Sequence, residues 1–346
     1  MKDYITLDIG TYNIKLLYGH YTNGYVIVSK AGVMRTPDGL INNGLLNVDL
    51  ATDAIFELLD DMQLKRKQPG VAVVESTAIV SRNFTLPYSN NADLQNMVTL
   101  EVERLFADVL QNYIIDYSCL NIHTDADGTK ADVMVFALPT KVFQSFEDTF
   151  INVGLQTTKL DISSNSSSKT FRQRVFVNDM ALPIDKTIAL IDIGHTLMNI
   201  QIIDNGTLKF SRALKIGGED ITKAISEDLF TNWEDAENLK VNEVDLGSLV
   251  HTPLYNSVAR VVDDISSEIQ RVLRYYTNTI SRGSIDSIFI YGGTSRLKNI
   301  AKYMTNTIGY PVTAIDTMNI IHLKQELPLD CYPSDFINAT GALMNI

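Results

Sequence analysis

The chain carries the same short segment twice, and this repeat limits its possible folds more than any other feature. Residues 4–11 and 187–196 each hold an apolar run that ends in Asp-Ile-Gly, and the two aspartates lie 184 positions apart. In both copies a second apolar run follows, and an Asn-Gly pair, Asn23-Gly24 or Asn205-Gly206, leads into a third. Asn-Gly between apolar runs is a strong hairpin signal, so each copy predicts a three-stranded meander that seeds its own lobe.

The two Asp-x-Gly turns predict a site for phosphate and a divalent cation. Glycine lets a tight turn bring backbone N–H groups against an anion, and a nest of such groups suits a phosphate. Asp8 and Asp192 supply hard oxygens for Mg²⁺, through retained water, and Lys15 on the next strand adds a positive charge. One such turn is compatible with an ordinary hairpin, whereas two in matching strand contexts favour a clamp around a polyphosphate.

Composition and charge exclude several classes of protein. The chain has 346 residues, 45% hydrophobic and 20% charged, which is typical of a folded protein with room for two cores. No apolar run approaches the roughly 20 residues of a membrane span, and no secretion signal is visible, so the sequence predicts a cytoplasmic protein. The net charge of −12 argues against nonspecific binding to nucleic acid.

The one short basic run, the cysteines and the histidines predict no further binding, redox or metal site. The run Lys65-Arg66-Lys67 is predicted to cap a helix C-terminus. Cys119 and Cys331 lie in apolar or tyrosine-containing stretches and are expected to be buried, reduced thiols. The five histidines are scattered without the spacing of metal ligands.

The first lobe is predicted to occupy residues 1–75. After the meander, residues 49–66 show apolar positions at helical spacing, and Val71–Val74 reads as a buried strand. Three strands, a helix and a parallel strand begin a doubly wound α/β sheet.

Residues 76–162 interrupt this order and predict an inserted α+β subdomain. Strands are expected at 79–86, 113–120, 133–138 and 157–162. One predicted helix is capped by Asn91 or Asp93 and buries Leu94, Val98, Val102 and Leu105; another is capped by Thr140 and runs to Val153. The cluster Asp125, Asp127 and Gly128 suggests either calcium or a solvated hairpin turn, and the missing EF-hand carboxylate favours the turn.

The second half of the chain predicts an interlobe connection at 163–186, a second lobe at 187–335 and a C-terminal helix at 336–346 that packs back on the first lobe. The serine-rich residues 163–168 are compatible with a flexible linker or a capped helix, and the apolar residues after them favour the helix. Gly217-Gly218 is predicted to open a helix, where anions are favoured. Glu237 and Lys240 lie one helical turn apart, as a surface ion pair or as ligand contacts. A strand followed by Gly292-Gly293 and a helix is typical of a nucleotide-approach turn, and close helix packing is an alternative reason for glycine there.

These elements together resemble the actin, Hsp70 and sugar-kinase superfamily. Asp8-x-Gly10 with Lys15 is similar to its phosphate-1 motif, Asp192-x-Gly194 to phosphate-2, and residues 291–294 to the adenosine motif. The insert falls where FtsA and PilM carry their subdomain. Several local runs resemble the PilM family of type IV pilus proteins in particular: Phe84-Thr85-Leu86-Pro87, Glu101-Val102-Glu103-Arg104, Ile115-Asp116-Tyr117, Phe136-Ala137-Leu138-Pro139, Lys215-Ile216-Gly217-Gly218, Arg271-x-x-x-Tyr275-Tyr276 and Gly293-Thr294-Ser295-Arg296-Leu297.

The resemblance implies a duplicated actin-like (ribonuclease H-like) α/β ATPase fold, with two lobes around a nucleotide cleft and an inserted 1C-like subdomain. It implies ATP and Mg²⁺ as cofactors, and a role as a scaffold that docks the cytoplasmic N-terminal tail of a PilN-like membrane protein at the inner face of the cytoplasmic membrane. Asp8 and Asp192 would hold hydrated Mg²⁺. The residues implied to contact the nucleotide are Asp8, Gly10, Thr11, Asn13, Lys15, Asp192, Gly194, His195, Thr196, Gly217, Gly218, Glu237, Lys240, Gly292, Gly293 and Thr294.

Two departures from the family pattern bear on activity. Ser163 stands where relatives usually carry an acidic residue, so hydrolysis is expected to be slow at most, because no carboxylate is evident as base. Thr294 replaces a third glycine and narrows the adenosine turn. A filament-forming ATPase of the FtsA or plasmid-segregation kind is an alternative, as is a small-molecule kinase. The C-terminal residues 336–346 look too short and uncharged for the membrane-targeting helix of FtsA, and Ser163 leaves the kinase without an acid.

Overall fold

The computed structural model describes residues 2–106, 110–280 and 283–344. Its strands are β1 (Tyr4–Ile9), β2 (Asn13–Thr22), β3 (Tyr25–Arg35), β4 (Ile41–Asn42), β5 (Leu45–Leu46), β6 (Pro69–Val74), β7 (Val80–Pro87), β8 (Tyr113–Asp125), β9 (Gly128–Pro139), β10 (Gln156–Ile162), β11 (Val175–Val177), β12 (Met180–Leu182), β13 (Thr187–Ile193), β14 (Met198–Asp204), β15 (Thr207–Leu214), β16 (Ser287–Tyr291), β17 (Val312–Ala314) and β18 (Ile321–Leu323). Its helices are α1 (Val48–Asp61), α2 (Asn91–Phe106), α3 (Thr140–Val153), α4 (Ser163–Lys169), α5 (Gly218–Leu229), α6 (Trp233–Asn242), α7 (Pro253–Tyr275), α8 (Ile300–Ile308) and α9 (Ile337–Leu343).

The two predicted meanders are confirmed, and each forms the centre of a sheet. The first sheet has the order β10–β6–β1–β2–β3–β18, and the second has the order β15–β14–β13–β16–β17. The local order β6–β1–β2–β3 is therefore repeated as β16–β13–β14–β15. Both Asn-Gly pairs adopt positive φ at both residues, as a type I′ hairpin turn requires.

Helices cover the sheets through the apolar faces that their sequences predict. In the first lobe α1 and α3 pack together on the sheet, and Ile55, Phe146 and Phe150 are buried there. In the second lobe α7 buries a continuous stripe that includes Val262 and Ile269. Because the carboxyl ends of β1 and β13 carry the Asp-x-Gly turns, this packing fixes where both turns lie.

The inserted unit is smaller than the sequence predicts. Its sheet has the order β7–β9–β8 and is covered by α2, with Leu94, Val98 and Val102 buried; the side chain of Leu105 lies outside the described residues. In contrast, α3 packs in the core of the first lobe, and β10 pairs in parallel with β6. The boundary expected at residue 162 therefore lies before α3, because β10 completes the first sheet.

The insert also contacts the second lobe. The Ser81 hydroxyl donates to the Ser211 carbonyl (3.0 Å), and the Asn83 amide donates to the Lys209 carbonyl (2.7 Å). Both contacts join β7 to β15. The polar turn at 125–128 is a hairpin turn, as predicted. In it Lys130 pairs with Asp125 and Asp127.

The serine-rich segment forms the helix α4, and it crosses α9 between the lobes. The contact is so close that a Cβ on Gly341 would lie 1.8 Å from the Ser166 carbonyl oxygen. The Ser166 hydroxyl donates to the Asn338 carbonyl (2.6 Å), and Lys169 forms a buried ion pair with Asp161. The last helix also contacts β1, β2 and β6 of the first lobe; residues 345 and 346 lie outside the described residues.

Several local predictions are wrong because side chains near the ends of elements find other partners. The helix α1 ends at Asp61, so Lys65-Arg66-Lys67 follows it as a loop in which Arg66 stacks over Phe56. No side-chain cap starts α3, since Pro139 holds the N-cap position, and the cap of α2 is Asn90, whose side chain accepts from the Asp93 N–H. Both cysteines are free thiols, but the predicted burial is wrong for Cys119, which is exposed on the edge strand β8, and Cys331 is only half-buried.

No helix in the described part of the chain is long and apolar enough to cross a membrane.

We expect Gly341→Ala to lower the free energy of unfolding by about 1 to 3 kcal/mol, the usual cost of overpacking. The new methyl group would overlap the backbone of Ser166, which cannot move aside as a flexible side chain can. Chemical denaturation measures the change. The matched control is Thr340→Val, which removes a buried hydroxyl without a hydrogen-bond partner and should be neutral or stabilising. An unchanged stability for Gly341→Ala would contradict the close crossing of α4 and α9.

Candidate functional site

A cleft of about 880 Å³ lies between the lobes, and the two Asp-x-Gly turns form its floor. The cleft brings together nearly all the residues that the sequence singles out. Gly217 is the exception, since it is absent from the residues that line the cleft. The predicted residues that do line it are Asp8, Gly10, Thr11, Asn13, Lys15, Asp192, Gly194, His195, Thr196, Gly218, Glu237, Lys240, Gly292, Gly293 and Thr294.

The first turn is a tight connection between β1 and β2. The Gly10 N–H donates to the Asn13 carbonyl (3.1 Å), and a Cβ on Gly10 would lie 3.1 Å from that same oxygen. Asp8 and Lys15 face each other across the two strands, with 3.7 Å between the Lys15 Nζ and an Asp8 carboxylate oxygen. The turn therefore presents a carboxylate and an ammonium group side by side.

The second turn has the same geometry and is supported from behind by α5. The Gly194 N–H donates to the Leu197 carbonyl (2.9 Å). The N–H groups of Gly218 and Glu219 donate to the carbonyls of Gly194 (3.0 Å) and His195 (2.7 Å). A Cβ on Gly217 would lie 2.4 Å from the His195 carbonyl oxygen. The glycine pair thus allows close packing, and these N–H groups are committed to the protein rather than open to an anion.

The two turns touch directly at the floor of the cleft. The hydroxyls of Thr11 and Thr196 are hydrogen bonded at 3.0 Å, and the rings of Tyr12 and His195 meet edge to face with centroids 5.0 Å apart. Arg35 at the end of β3 stacks over the Tyr12 ring at 3.3 Å. These contacts join the lobes at the site where the sequence predicts phosphates.

Asn338 on α9 links the two aspartates, and the sequence gives no sign of this role. Its side-chain amide donates to Asp192 (3.0 Å) and more weakly to Asp8 (3.4 Å), and its amide oxygen accepts from the buried Tyr291 hydroxyl (2.9 Å). All three side chains that Asn338 contacts are buried. The amide therefore holds one carboxylate from each lobe at a fixed position.

The adenosine side is built from the turn after β16. Gly292 has a φ of 88°, and a Cβ there would lie 2.2 Å from the Asp192 carboxylate, so only glycine fits. A Cβ on Gly293 would meet no atom within 4 Å, which leaves open space beside the backbone. The Thr294 hydroxyl donates to the Gly194 carbonyl (2.9 Å), so this side chain faces the second turn. The helix α8 begins only at Ile300, after a 3₁₀ turn over Gly293–Arg296.

Glu237 and Lys240 form an ion pair on α6, at 2.6 Å, and also line the cleft. Lys240 donates to the Thr222 hydroxyl (2.8 Å), and that hydroxyl donates to Glu237 (2.6 Å). Burial alone would raise the pKa of Glu237, but the hydrogen bonds from Lys240 and Thr222 outweigh it and lower that pKa. Burial lowers the pKa of Lys240. The pair is thus preformed, but Lys240 is buried, so it is not the surface ion pair that one alternative predicted. Both residues line the cleft, where a ligand can reach them.

Burial dominates the charges at the floor of the cleft. It raises the pKa of Asp192 to about 6, against the opposing effects of Lys15 and Asn338, and Asp8 raises it further. Burial, followed by Asp192 and Asp8, raises the pKa of Glu75 well above its ordinary value. Burial and the charge of Lys240 lower the pKa of His195 to about 4, so its imidazole is neutral at neutral pH.

Glu75 is a further cleft residue that the sequence analysis does not identify. It directly follows β6 and lines the cleft near Asp8 and Asp192. A signal was available, because β6 is parallel to β1 and the carboxyl ends of parallel strands meet at one edge of a sheet. The sequence motifs do not include Glu75, because no spacing along the chain connects it to either Asp-x-Gly turn.

The donor set at the floor of the cleft fits a hydrated magnesium ion. Within the described residues, no group of three or more His, Cys, Asp and Glu side chains is arranged as a metal site. Two buried carboxylates beside a polar amide are hard oxygen donors, and Mg²⁺ usually keeps several waters and takes few protein ligands. Asp8 and Asp192 are therefore the residues that would hold the ion, and it would neutralise phosphate charge there.

In the absence of nucleotide and Mg²⁺, Asp192 should make stability depend on pH. Its folded pKa of about 6 exceeds the ordinary value of 3.8, so between these values the folded state binds more protons and loses stability as pH rises. We expect the isosteric Asp192→Asn to be more stable than the wild type at pH 7, by about 1 to 3 kcal/mol. The advantage should shrink toward pH 4.5.

Urea unfolding at both pH values measures that difference, and the exposed Asp53→Asn on α1 is the matched control. Asp8, Lys15, Glu75 and Asn338 surround Asp192 and stay unchanged in both proteins. A stability difference that is the same at pH 7 and pH 4.5 would refute the raised pKa.

The fold is similar to those of several solved structures. A solved structure of the PilM-PilN type IV pilus biogenesis complex matches 98% of this chain and 97% of its own, with a TM-score of 0.80 and 19% identity. MreB5 of Spiroplasma citri bound to ADP matches 99% of this chain and 95% of its own, with a TM-score of 0.54 and 13% identity. These likenesses establish an actin-like ATPase fold, as the sequence predicts.

Among curated proteins, the chain is similar to cell division protein FtsA. FtsA of Bacillus subtilis is 24% identical over 270 residues, which cover 68% of this chain and 57% of FtsA, so the chain spans little more than half of that relative. FtsA of Neisseria meningitidis is 21% identical over 346 residues, which cover 88% of this chain and 82% of FtsA. The family model described as type IV pilus assembly protein PilM matches residues 6–344. The chain therefore belongs to the PilM family of type IV pilus assembly proteins.

Proposed function

We propose that this protein binds Mg·ATP between its lobes and acts as a cytoplasmic scaffold that docks the N-terminal tail of a PilN-like membrane protein. The observation that carries the nucleotide site is the convergence of both Asp-x-Gly turns on one cleft, with Asp8 and Asp192 held by Asn338. Phosphates would lie against Gly10, Gly194 and Lys15. The open space at Gly293 and the preformed Glu237–Lys240 pair suit the nucleoside.

The nucleotide proposal predicts that Asp8→Ala and Lys15→Ala each weaken Mg·ATP binding by roughly 1.5 to 3 kcal/mol, the usual loss for a charged hydrogen bond. Lys15 contributes a charge to the phosphates, and Asp8 contributes a ligand to hydrated Mg²⁺. Isothermal titration calorimetry measures the affinity. Lys141→Ala, at an exposed position on α3, is the control and should bind as the wild type does. An unchanged affinity for Mg·ATP in both cleft variants would refute the assignment of the nucleotide site to this cleft.

The docking proposal assigns the partner to the inserted unit, which contributes no residue to the motifs of the cleft. The strand β8 is an edge of the sheet β7–β9–β8, and an edge strand can pair with an extended peptide through its backbone. Ile114 and Ile122 on β8 are 42% and 46% exposed. The net charge of −12 suits a peptide with the lysines and arginines common just inside a membrane anchor. Such a partner would recruit the protein to the inner face of the membrane.

The double variant Ile114→Lys, Ile122→Lys should weaken capture of a synthetic PilN-like tail by about tenfold or more, because it removes apolar contacts and repels basic residues. Fluorescence anisotropy of the labelled peptide, with and without Mg·ATP, gives the affinity. Ile151→Lys introduces the same change at an exposed position on α3 and should have no effect. Full peptide affinity in the double variant, or a loss of ATP binding in the folded variant, would refute this division of roles.

A filament-forming ATPase is the second candidate, and the similarity to FtsA favours it. Sedimentation of the protein with Mg·ATP would separate the two functions. Polymer at micromolar concentration without any peptide partner would support the filament.

A further inference from the structure

The backbone at Glu75 is held beside the cleft by contacts of the next two residues, Ser76 and Thr77, with the β4–β5 hairpin. The backbone carbonyl of Asn43 accepts from the Ser76 hydroxyl (2.6 Å), and the Asn43 side chain accepts from the Thr77 N–H (2.9 Å). A Cβ on Gly44 would lie 2.9 Å from the Glu75 carbonyl oxygen, so the β4–β5 hairpin packs directly on this segment. The backbone of Glu75 therefore has little freedom, as a catalytic position requires.

One oxygen of the Glu75 carboxylate has no partner. The Glu75 Oε1 atom is buried and accepts no hydrogen bond from the described residues. Burial, Asp192 and Asp8 raise the pKa of Glu75, which makes its carboxylate a stronger base. The charge of Lys15 favours the ionised form. An ionised carboxylate oxygen only accepts, and a buried acceptor without a donor is costly, so this atom suits a small O–H donor such as water. The Asn199 side chain lies close enough to lower the pKa of the Glu75 carboxyl, against the larger effect of burial.

Several other carboxylates of the cleft are already engaged. Asp8 and Asp192 accept from Asn338, Glu237 pairs with Lys240, and Asp335 pairs with Arg296. Asp161, below the floor, pairs with Lys169. Glu219 and Asp330 also line the cleft, but Glu75 lies close enough to Asp8 and Asp192 for their charges to raise its pKa. Glu75 is therefore an available acceptor at the phosphate end of the cleft.

Asn199 neighbours both Glu75 and Ser163, and Ser163 is the position where an acidic residue was expected. The Asn199 side-chain amide donates to the Ser163 hydroxyl at 2.7 Å, and it faces Asp192 across β13 and β14. A carboxylate therefore does reach the neighbourhood of Ser163, although it comes from the end of β6.

We propose that Glu75 is the general base for ATP hydrolysis in this cleft, an inference that rests on the proposed binding of Mg·ATP. A water molecule hydrogen bonded to Oε1 attacks the terminal phosphorus. The new P–O bond forms as the bond to the oxygen bridging the β- and γ-phosphates breaks. Glu75 takes one proton from the water, and ADP and inorganic phosphate are the products. Asp8 and Asp192 would hold the hydrated metal, and Lys15 would neutralise charge on the phosphates.

The test compares wild type with Glu75→Gln, which keeps the shape of the side chain but cannot take the proton. Phosphate release is measured in a single turnover with excess protein, and ATP affinity is measured separately by calorimetry. We expect hydrolysis to fall by about 100-fold or more, with the dissociation constant for ATP changed less than about threefold. Nucleotide recovered from the protein should then be ATP in the variant and ADP in the wild type.

Two further variants keep the test decisive. Glu75→Asp withdraws the carboxylate by one methylene and should hydrolyse at an intermediate rate, while Glu57→Gln on the exposed face of α1 should match the wild type. Thermal melting establishes that each variant folds. Equal rates in wild type and Glu75→Gln with ATP bound, or wild-type phosphate release no faster than in buffer, would overturn this inference alone. A wild type that fails to bind ATP would refute the proposed function as well.

Discussion

Two carboxylates of like charge, one from each lobe, are held close together in a buried cleft, and the arrangement of the floor follows from this constraint. The ionised form of Asp192 is disfavoured by burial and by Asp8, and Lys15 compensates only in part. Asn338 supplies hydrogen bonds in place of a second positive charge. This arrangement therefore carries a cost in stability, and the proposed binding of Mg²⁺ would relieve it.

The sequence predicts the duplicated core well because its signals are local. Asn-Gly pairs need positive φ at both residues, and this fixes the hairpins, while Asp-x-Gly at a strand end fixes the turns of the cleft. The position of Asn338 was not predictable in this way. It depends on where α9 crosses α4, and that contact joins residues more than 170 positions apart.

The boundaries of the insert were not predictable for a similar reason. A strand such as β10 has the same local pattern in either unit, and only its parallel pairing with β6 assigns it to the first sheet. The predicted helix caps were wrong where a neighbouring residue caps the helix instead, as Asn90 does for α2. Glu75 shows both kinds of outcome. Its strand β6 was predicted from the local sequence, whereas its neighbours across the sheet were not.

The insert has a mechanical consequence that follows from the contacts of β7. It is covalently continuous with the first lobe, yet Ser81 and Asn83 are hydrogen bonded to β15 of the second. Any rotation of one lobe against the other must therefore appear as shear along β7 or break these two bonds. Since β9 pairs with both β7 and β8, that shear would pass through one sheet to its far edge. A change in the angle between the lobes would therefore strain the insert as well as the cleft.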